Sequence, residues 1–519
     1  MNIRILSPVL FILILFSSAL CAQVNLFSKV LYDQDQALQS YSIAKASSNG
    51  FLVAGDFGYG GIAIRIDTNG NVLWARKLDG ISYMAKIRGC ISTPDSCFVL
   101  AGMVYAGPNL RPVLLLIKMR ESGLIVWSSA TDYTDWVTVN QIILTNDQGF
   151  LVTGFTSPAS GERAFAAKFS STGARNWSYY YTVPGNSGYL NAASQLSDNS
   201  FILNGTAYDQ NLHRYKQTIL KLSSDGTVEW SKIANQDSNE SFRSFDVLTE
   251  SDGFLFYGGG YNGGVVLTKT NLEGEVLWSK EYPYYFSAYE AVKIKKDLNG
   301  GYIAINNNWT GELLRFSNTG DLLWVQELFL NPTDVLQTNS GYLVCGNGPI
   351  YGVSMAPTPN PQIGILSCDT LGNSISCTNQ GFTSTMVFEV VLSDIEVTRS
   401  TAGVSFNYNL VTQALNLMNE DGCVAFIGGT QNNDLQQSAM FLYPNPSDQI
   451  CYVSLPSHER GSSDTFEVYN SAGRLVFSTT DLSKLTAGFS TLSFSDGIYL
   501  CRMVHSGNDF TAKLIVSHH

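Results

Sequence analysis

Short apolar runs of four to six residues, separated by polar turns that contain glycine, recur along most of the chain. In the first unit the runs fall at 42–46, 51–54, 62–66 and 72–77, with the turn Asp67-Thr68-Asn69-Gly70 before the last. Runs this short, bounded by turn residues, predict strands rather than helices. The pattern repeats around seven turn glycines: Gly70, Gly123, Gly173, Gly226, Gly274, Gly320 and Gly372, spaced 46 to 53 residues apart. Six of them have Trp four residues later: Trp74, Trp127, Trp177, Trp230, Trp278 and Trp324; the seventh has Ser376. About fifty residues accommodates four short strands and three turns. Third strands such as 113–117 are apolar on both faces, as a sheet sandwiched between two others requires. The Trp shares a face with the apolar residue two places earlier, which predicts packing between neighbouring units.

The segment Leu26-Phe27-Ser28-Lys29-Val30 resembles Leu277-Trp278-Ser279-Lys280-Glu281, with Phe27 in the Trp place. Because the seventh unit lacks a fourth strand, residues 25–31 are expected to complete it and remove two exposed edges. The repeat resembles that of seven-bladed β-propellers built around Gly-Tyr-x-Val-x-Gly and Asp-x-x-Gly-x-x-x-Trp, over about residues 25–377, with the propeller domain taken as 23–377. That resemblance implies a fold and leaves the activity open. Residues 378–440, with strand-like stretches at 386–398 and 404–411 and a polar run at 431–437, are read as an appended β segment and linker.

From Phe441 the wording changes. Tyr443-Pro444-Asn445-Pro446 opens a series continued by Gly473-Arg474-Leu475-Val476, Gly497-Ile498-Tyr499-Leu500 and Lys513-Leu514-Ile515-Val516. In order and content these blocks resemble the type A sorting domain of the type IX secretion system of Bacteroidota, over 441–519. The resemblance implies a small Ig-like β-sandwich that engages the secretion machinery and guides cargo across the outer membrane. It also implies sortase removal there, with cargo either attached to surface lipopolysaccharide or released. The expected fold class is therefore all-β: a seven-bladed propeller followed by a small sandwich.

At the other end, Arg4, an apolar run from Ile5 to Leu15 and small residues up to Ala22 read as a signal peptide over 1–22, too short to span a bilayer. Cys21 follows the bulky Leu20, which disfavours a lipid anchor. With 31 basic against 43 acidic residues and a net charge of −12, nucleic acid is not an expected partner. The one basic cluster, Lys293, Lys295 and Lys296, is read as a solvated strand face. Of the nine cysteines, three pairs are candidate disulfides: Cys368 with Cys377, Cys90 with Cys97, and Cys451 with Cys501; buried free thiols are the competing reading for each.

Candidate chemistry is sparse, and no cofactor or metal site is expected. Of the five histidines only His213 lies within the repeats, and no Gly-x-Ser-x-Gly elbow accompanies it. The Asp67–Asn71 turn resembles a calcium loop but has no closing Glu, so a hairpin is favoured. The Trp repeat also resembles that of quinone-dependent dehydrogenases, without their adjacent cysteine pair. A polysaccharide hydrolase would need two facing carboxylates, for which Asp56, Glu162, Asp209 and Glu312, expected in loops, are candidates. Aromatics outside the repeat, namely Trp136, Trp309, Tyr179-Tyr180-Tyr181 and Tyr284-Tyr285, could stack on sugars or peptides, with core packing favoured for the two Trp. The leading expectation is an exported binding or structural module for a glycan or protein ligand, with the hydrolase as the alternative.

Overall fold

The computed structural model describes residues 26–421 and 441–516, except 34–35, 59, 80–84, 107–110, 134, 159–160, 183–185, 211, 235–241, 261–263, 283–292, 308–310, 329, 349–361, 375–378, 381–385, 388–391, 396, 403, 408–410, 416–417, 444–449, 455–464, 471–473, 481–488 and 506–507. The signal-peptide segment, Trp309, Tyr284, Tyr285, Cys377, Pro444, Asn445, Pro446 and Gly473 lie outside them. Every regular element among the described residues is a strand. No described helix is long and apolar enough to cross a membrane.

Seven of the sheets have five strands each. Sheet 1 runs Leu38–Lys45, Phe51–Phe57, Gly60–Ile66 and Val72–Asp79 as an antiparallel meander. Sheet 2 begins at Ala85–Thr93, sheet 3 at Trp136–Leu144, sheet 4 at Asn186–Gln195, sheet 5 at Phe242–Glu250, sheet 6 at Lys293–Lys296 and sheet 7 at Asn331–Thr338. The first strands of neighbouring sheets touch one another all the way round, and that of sheet 7 touches that of sheet 1. The result is a closed, propeller-like ring with a core between each pair of sheets. Third strands are buried on both faces; Val113, Leu114, Leu115, Leu116 and Ile117 have no exposure.

Sheet 7 takes its fourth strand from the N-terminal segment. Ser28–Tyr32 pairs with Gln362–Asp369, with Val30 opposite Gly364. Chain ends that meet in one sheet tie the ring shut through backbone hydrogen bonds.

The segment after the ring differs from the expected appended unit. Its strands visit the sheets in reverse order and add a fifth, outermost strand to each. Asn379–Gln380 pairs with sheet 6, Met386–Val387 with sheet 5, Leu392–Asp394 with sheet 4, Thr398–Thr401 with sheet 3, Val404–Asn407 with sheet 2 and Val411–Leu415 with sheet 1. Met418–Asp421 then pairs with Ser28–Tyr32 of sheet 7. The seven described strands between 379 and 421 thus form a belt that touches every sheet in turn. The physical reason is the edge: each four-stranded meander would otherwise leave a row of unpaired N–H and C=O groups outside. Arg399 lies over the Tyr179 ring at 4.2 Å, and Ala402 N–H donates to the Ser178 carbonyl at 2.9 Å.

Residues 441–516 form two further sheets, of three and four strands. Between them lies one buried cluster that includes Phe466, Val468, Phe489, Tyr499 and Leu514. Cys451 and Cys501 meet in this core from different sheets, and Cys501 is a free thiol that burial raises above its ordinary pKa. Cys90 and Cys97 are not bridged. Cys90 faces Leu100 and Cys97 faces Thr93 along the ladder, so the two are offset by three positions. Cys368 is a buried free thiol, pushed up to about 12.

Candidate functional site

The repeated aromatics latch sheet to sheet. The turn glycines all have φ between +77° and +85°, a region only glycine enters without strain. Each also receives the aromatic ring of the preceding sheet. A Cβ on Gly173 would lie 2.7 Å from Trp127, on Gly274 2.8 Å from Trp230, and on Gly372 2.7 Å from Trp324. Gly123, Gly226 and Gly320 face Trp74, Trp177 and Trp278 in the same way, and Phe27 closes the cycle on Gly70. Trp74 Nε1–H donates to the Glu121 carbonyl at 2.9 Å and Trp177 Nε1–H to the Ser224 carbonyl at 3.0 Å. These rings are half-buried and engaged in the scaffold.

Directly across the ladder from each Trp stands a cation of the third strand: Arg65, Lys118, Lys168, Lys221, Lys269 and Arg315. They pair with carboxylates of neighbouring turns and strands, as Lys118 does with Asp95 at 2.7 Å and Lys168 with Asp147 at 2.8 Å. Sequence reasoning missed this second repeat, although a Lys or Arg stands nine residues before every one of the six Trp.

The ring's axis holds the candidate site. In six sheets the first strand slips register against the second by one residue, skipping Tyr41, Arg88, Asn140, Asn191, Phe245 and Thr333. A β-bulge re-aims its extra residue. All six bulged residues line one axial cavity of about 400 Å³, joined there by Lys293 and Arg243. A second cavity, of about 370 Å³, shares Tyr41, Arg88, Asn140 and Lys293 with it and adds Lys295 and Asp334. Sharing four lining residues, the two adjoin as one channel, the first called the upper cavity and the second the lower.

Hydrogen bonds between sheets set this wall. Ile43 N–H donates to Asp334 Oδ2 at 3.1 Å, Ala193 N–H to Gln141 Oε1 at 2.6 Å, and Ile294 N–H to Asp246 Oδ2 at 3.1 Å. The Arg88 guanidinium lies 3.9 Å over the Tyr41 ring, and its Nε is buried without an acceptor. Lys293 and Lys295 correct the expected solvated face: Ile294 between them is fully buried, and both lysines line the channel. Asp334 and Asp246 hold Lys295 in its charged form against the cost of burial.

The acids expected in loops lie away from the channel lining. Asp56 lies inside Phe51–Phe57, and Asp209 and Glu312 also belong to strands. Burial raises the Asp56 carboxyl to about 6, and it accepts the Ile87 N–H at 3.0 Å. Asp209 pairs with Lys216 at 3.2 Å, and Glu162 lines a separate cavity of only about 20 Å³. None of the four lines the channel. His213 is exposed, with Nδ1 3.2 Å from the Tyr208 hydroxyl. Asp67 accepts the Asn69 and Asn71 N–H groups, each at 2.8 Å, as a hairpin turn does. Among the described residues, no three His, Cys, Asp or Glu side chains are grouped to hold a metal. Trp136 corrects the expectation of core packing: it is 59% exposed, edge-on to Tyr105 at 5.8 Å. Tyr180 and Tyr181 are buried, and Tyr179 stacks on Trp177 at 5.5 Å.

Comparison with known proteins identifies the tail. Residues 441–517 match the secretion system C-terminal sorting domain family. The sorting domain marks the chain for export to the cell surface or extracellular space and implies interaction with the type IX machinery. Within it, Tyr443 ends the first strand of the three-stranded sheet, while Gly497, Tyr499 and Lys513 belong to the four-stranded one. No curated protein shows significant similarity to the chain. Similar solved structures include a protein of unknown function from Bacteroides caccae, 12% identical over 54% of this chain and 94% of that one, TM-score 0.35. BamB from Moraxella catarrhalis is 14% identical over 65% and 95% of the two chains, TM-score 0.36.

Proposed function

We propose that this chain is a seven-bladed β-propeller, exported by the type IX system of a Bacteroidota envelope, that acts outside the cell as a binding module through its axial channel. The observation that carries this reading is the ring of six bulges, which turns polar, basic and aromatic side chains into an open cavity ahead of a sorting domain. Bulges re-aim side chains and are over-represented beside active sites, so six of them around one cavity suit a binding site. The cavity volume lies within the usual range for small-molecule sites. The two-sheet tail is read as an Ig-like sandwich, and residues 1–22 as a signal peptide. None of Asp56, Glu162, Asp209 and Glu312 lines the channel, which favours binding over hydrolysis there.

A glycan array probed with the exported chain tests this reading, with Asn307→Trp as the comparison. Asn307 lines the upper cavity and lies outside the strands, so the indole fills the channel and leaves the sheets intact. Array signal that Asn307→Trp abolishes is the expected result. Signal that survives the substitution, or silence from both proteins, contradicts the channel as the binding site.

A further inference from the structure

We infer that the upper axial cavity takes an acidic saccharide, its carboxylate held by Arg88 and Lys293 and its ring faces by the channel aromatics. The inference rests on the binding-module reading and adds the ligand's chemistry. Its starting point is a charge anomaly. The chain carries a net charge of −12, yet the described lining of the upper cavity contains Arg88, Arg243 and Lys293 and no Asp or Glu. Cations gathered in a cleft with low-dielectric walls focus their field and attract anions.

The lower cavity supplies the contrast. There Lys295 has Asp334 and Asp246 beside it, so its charge is already answered within the protein. Lys293, two residues away, forms no ion pair with a described residue. Arg88 has Asp56 behind it, but that carboxylate already accepts the Ile87 N–H, and burial disfavours its charged form. The Arg88 guanidinium lines the cavity and forms no ion pair with a described residue. A carboxylate in the cavity would meet that guanidinium as its counter-charge. Stacking on Tyr41 fixes the guanidinium plane in advance.

The remaining lining selects among anions. Tyr41, Phe155, Tyr189 and Phe245 offer aromatic faces to the C–H surfaces of a sugar ring. Gln39 and Thr138 both donate and accept, which suits vicinal hydroxyls. A volume of about 400 Å³ admits a short saccharide end but no folded polypeptide or duplex.

Calorimetric titration of the full-length chain tests the inference. The probes are trigalacturonate, its carboxyl-reduced neutral counterpart and triglutamate. Trigalacturonate is expected to bind, the reduced form about tenfold more weakly. Lys293→Gln should weaken trigalacturonate about tenfold and leave the reduced form unchanged, with Lys293→Arg restoring affinity. An unchanged melting temperature shows that Lys293→Gln is folded. Equal binding of the acidic and reduced saccharides, or no effect of Lys293→Gln, overturns the inference. Triglutamate binding as tightly as trigalacturonate, with the same Lys293 dependence, overturns it in favour of an acidic peptide. Neutral saccharide binding that Asn307→Trp blocks and Lys293→Gln ignores overturns the inference while sparing the binding-module reading. Silence from all probes, with a silent array, removes both.

Discussion

At Gly173 two requirements meet: a φ of +83° and the Trp127 ring where a side chain would begin. Turn chemistry alone makes that glycine legible from sequence; the second requirement appears only when the next sheet is in place. Gly173→Ala should therefore cost more than an ordinary glycine replacement, about 2–3 kcal/mol in denaturant unfolding. Trp127→Ala should cost a similar amount, below the full cavity penalty because the ring is half-buried. The double variant should cost clearly less than the sum, since both substitutions break one contact. Additive costs would show that ring and glycine act independently. The cations opposite the Trp residues were as periodic as the Trp themselves, but lysines read singly look like surface residues. Lys293 and Lys295 were misread for the same reason. A basic residue's neighbours across a ring axis have no signature in its own strand.

At the scale of elements, the meanders were legible and the belt was not. The strand Phe51–Phe57 carries its own apolar pattern because both faces are buried. The belt strands are two to five residues long and hold on mainly through backbone pairing with an edge. Edge pairing imposes little on side chains; all four residues of Thr398–Thr401 are exposed. The bulges were hidden for a related reason. Strict alternation assigns every other residue to the core, and a skipped residue such as Arg88 breaks that count without changing composition. If the belt seals the outer edges, a chain ending at 377 should aggregate and melt well below one ending at 421, measured by light scattering and calorimetry. Equal melting temperatures and equal monomer content would show that the seven edges need no cover.

At the scale of the whole molecule, the sorting domain states the destination and the ring states the form. The sorting blocks were readable because they hold a fixed order of turn and strand residues near the end of the chain. The axial site was not, since its members come from every sheet and meet only when the ring closes. The central claim is that ligand enters the channel formed at the bulges. Hydrogen–deuterium exchange of the exported chain, with and without saturating trigalacturonate, locates the contact directly. Slowed exchange is expected in peptides spanning 39–42, 86–90, 138–141, 189–192, 243–246, 293–295 and 332–334, with the outer belt unchanged. Slowing confined to the belt or outer turns, with the bulge peptides unaffected, would contradict it.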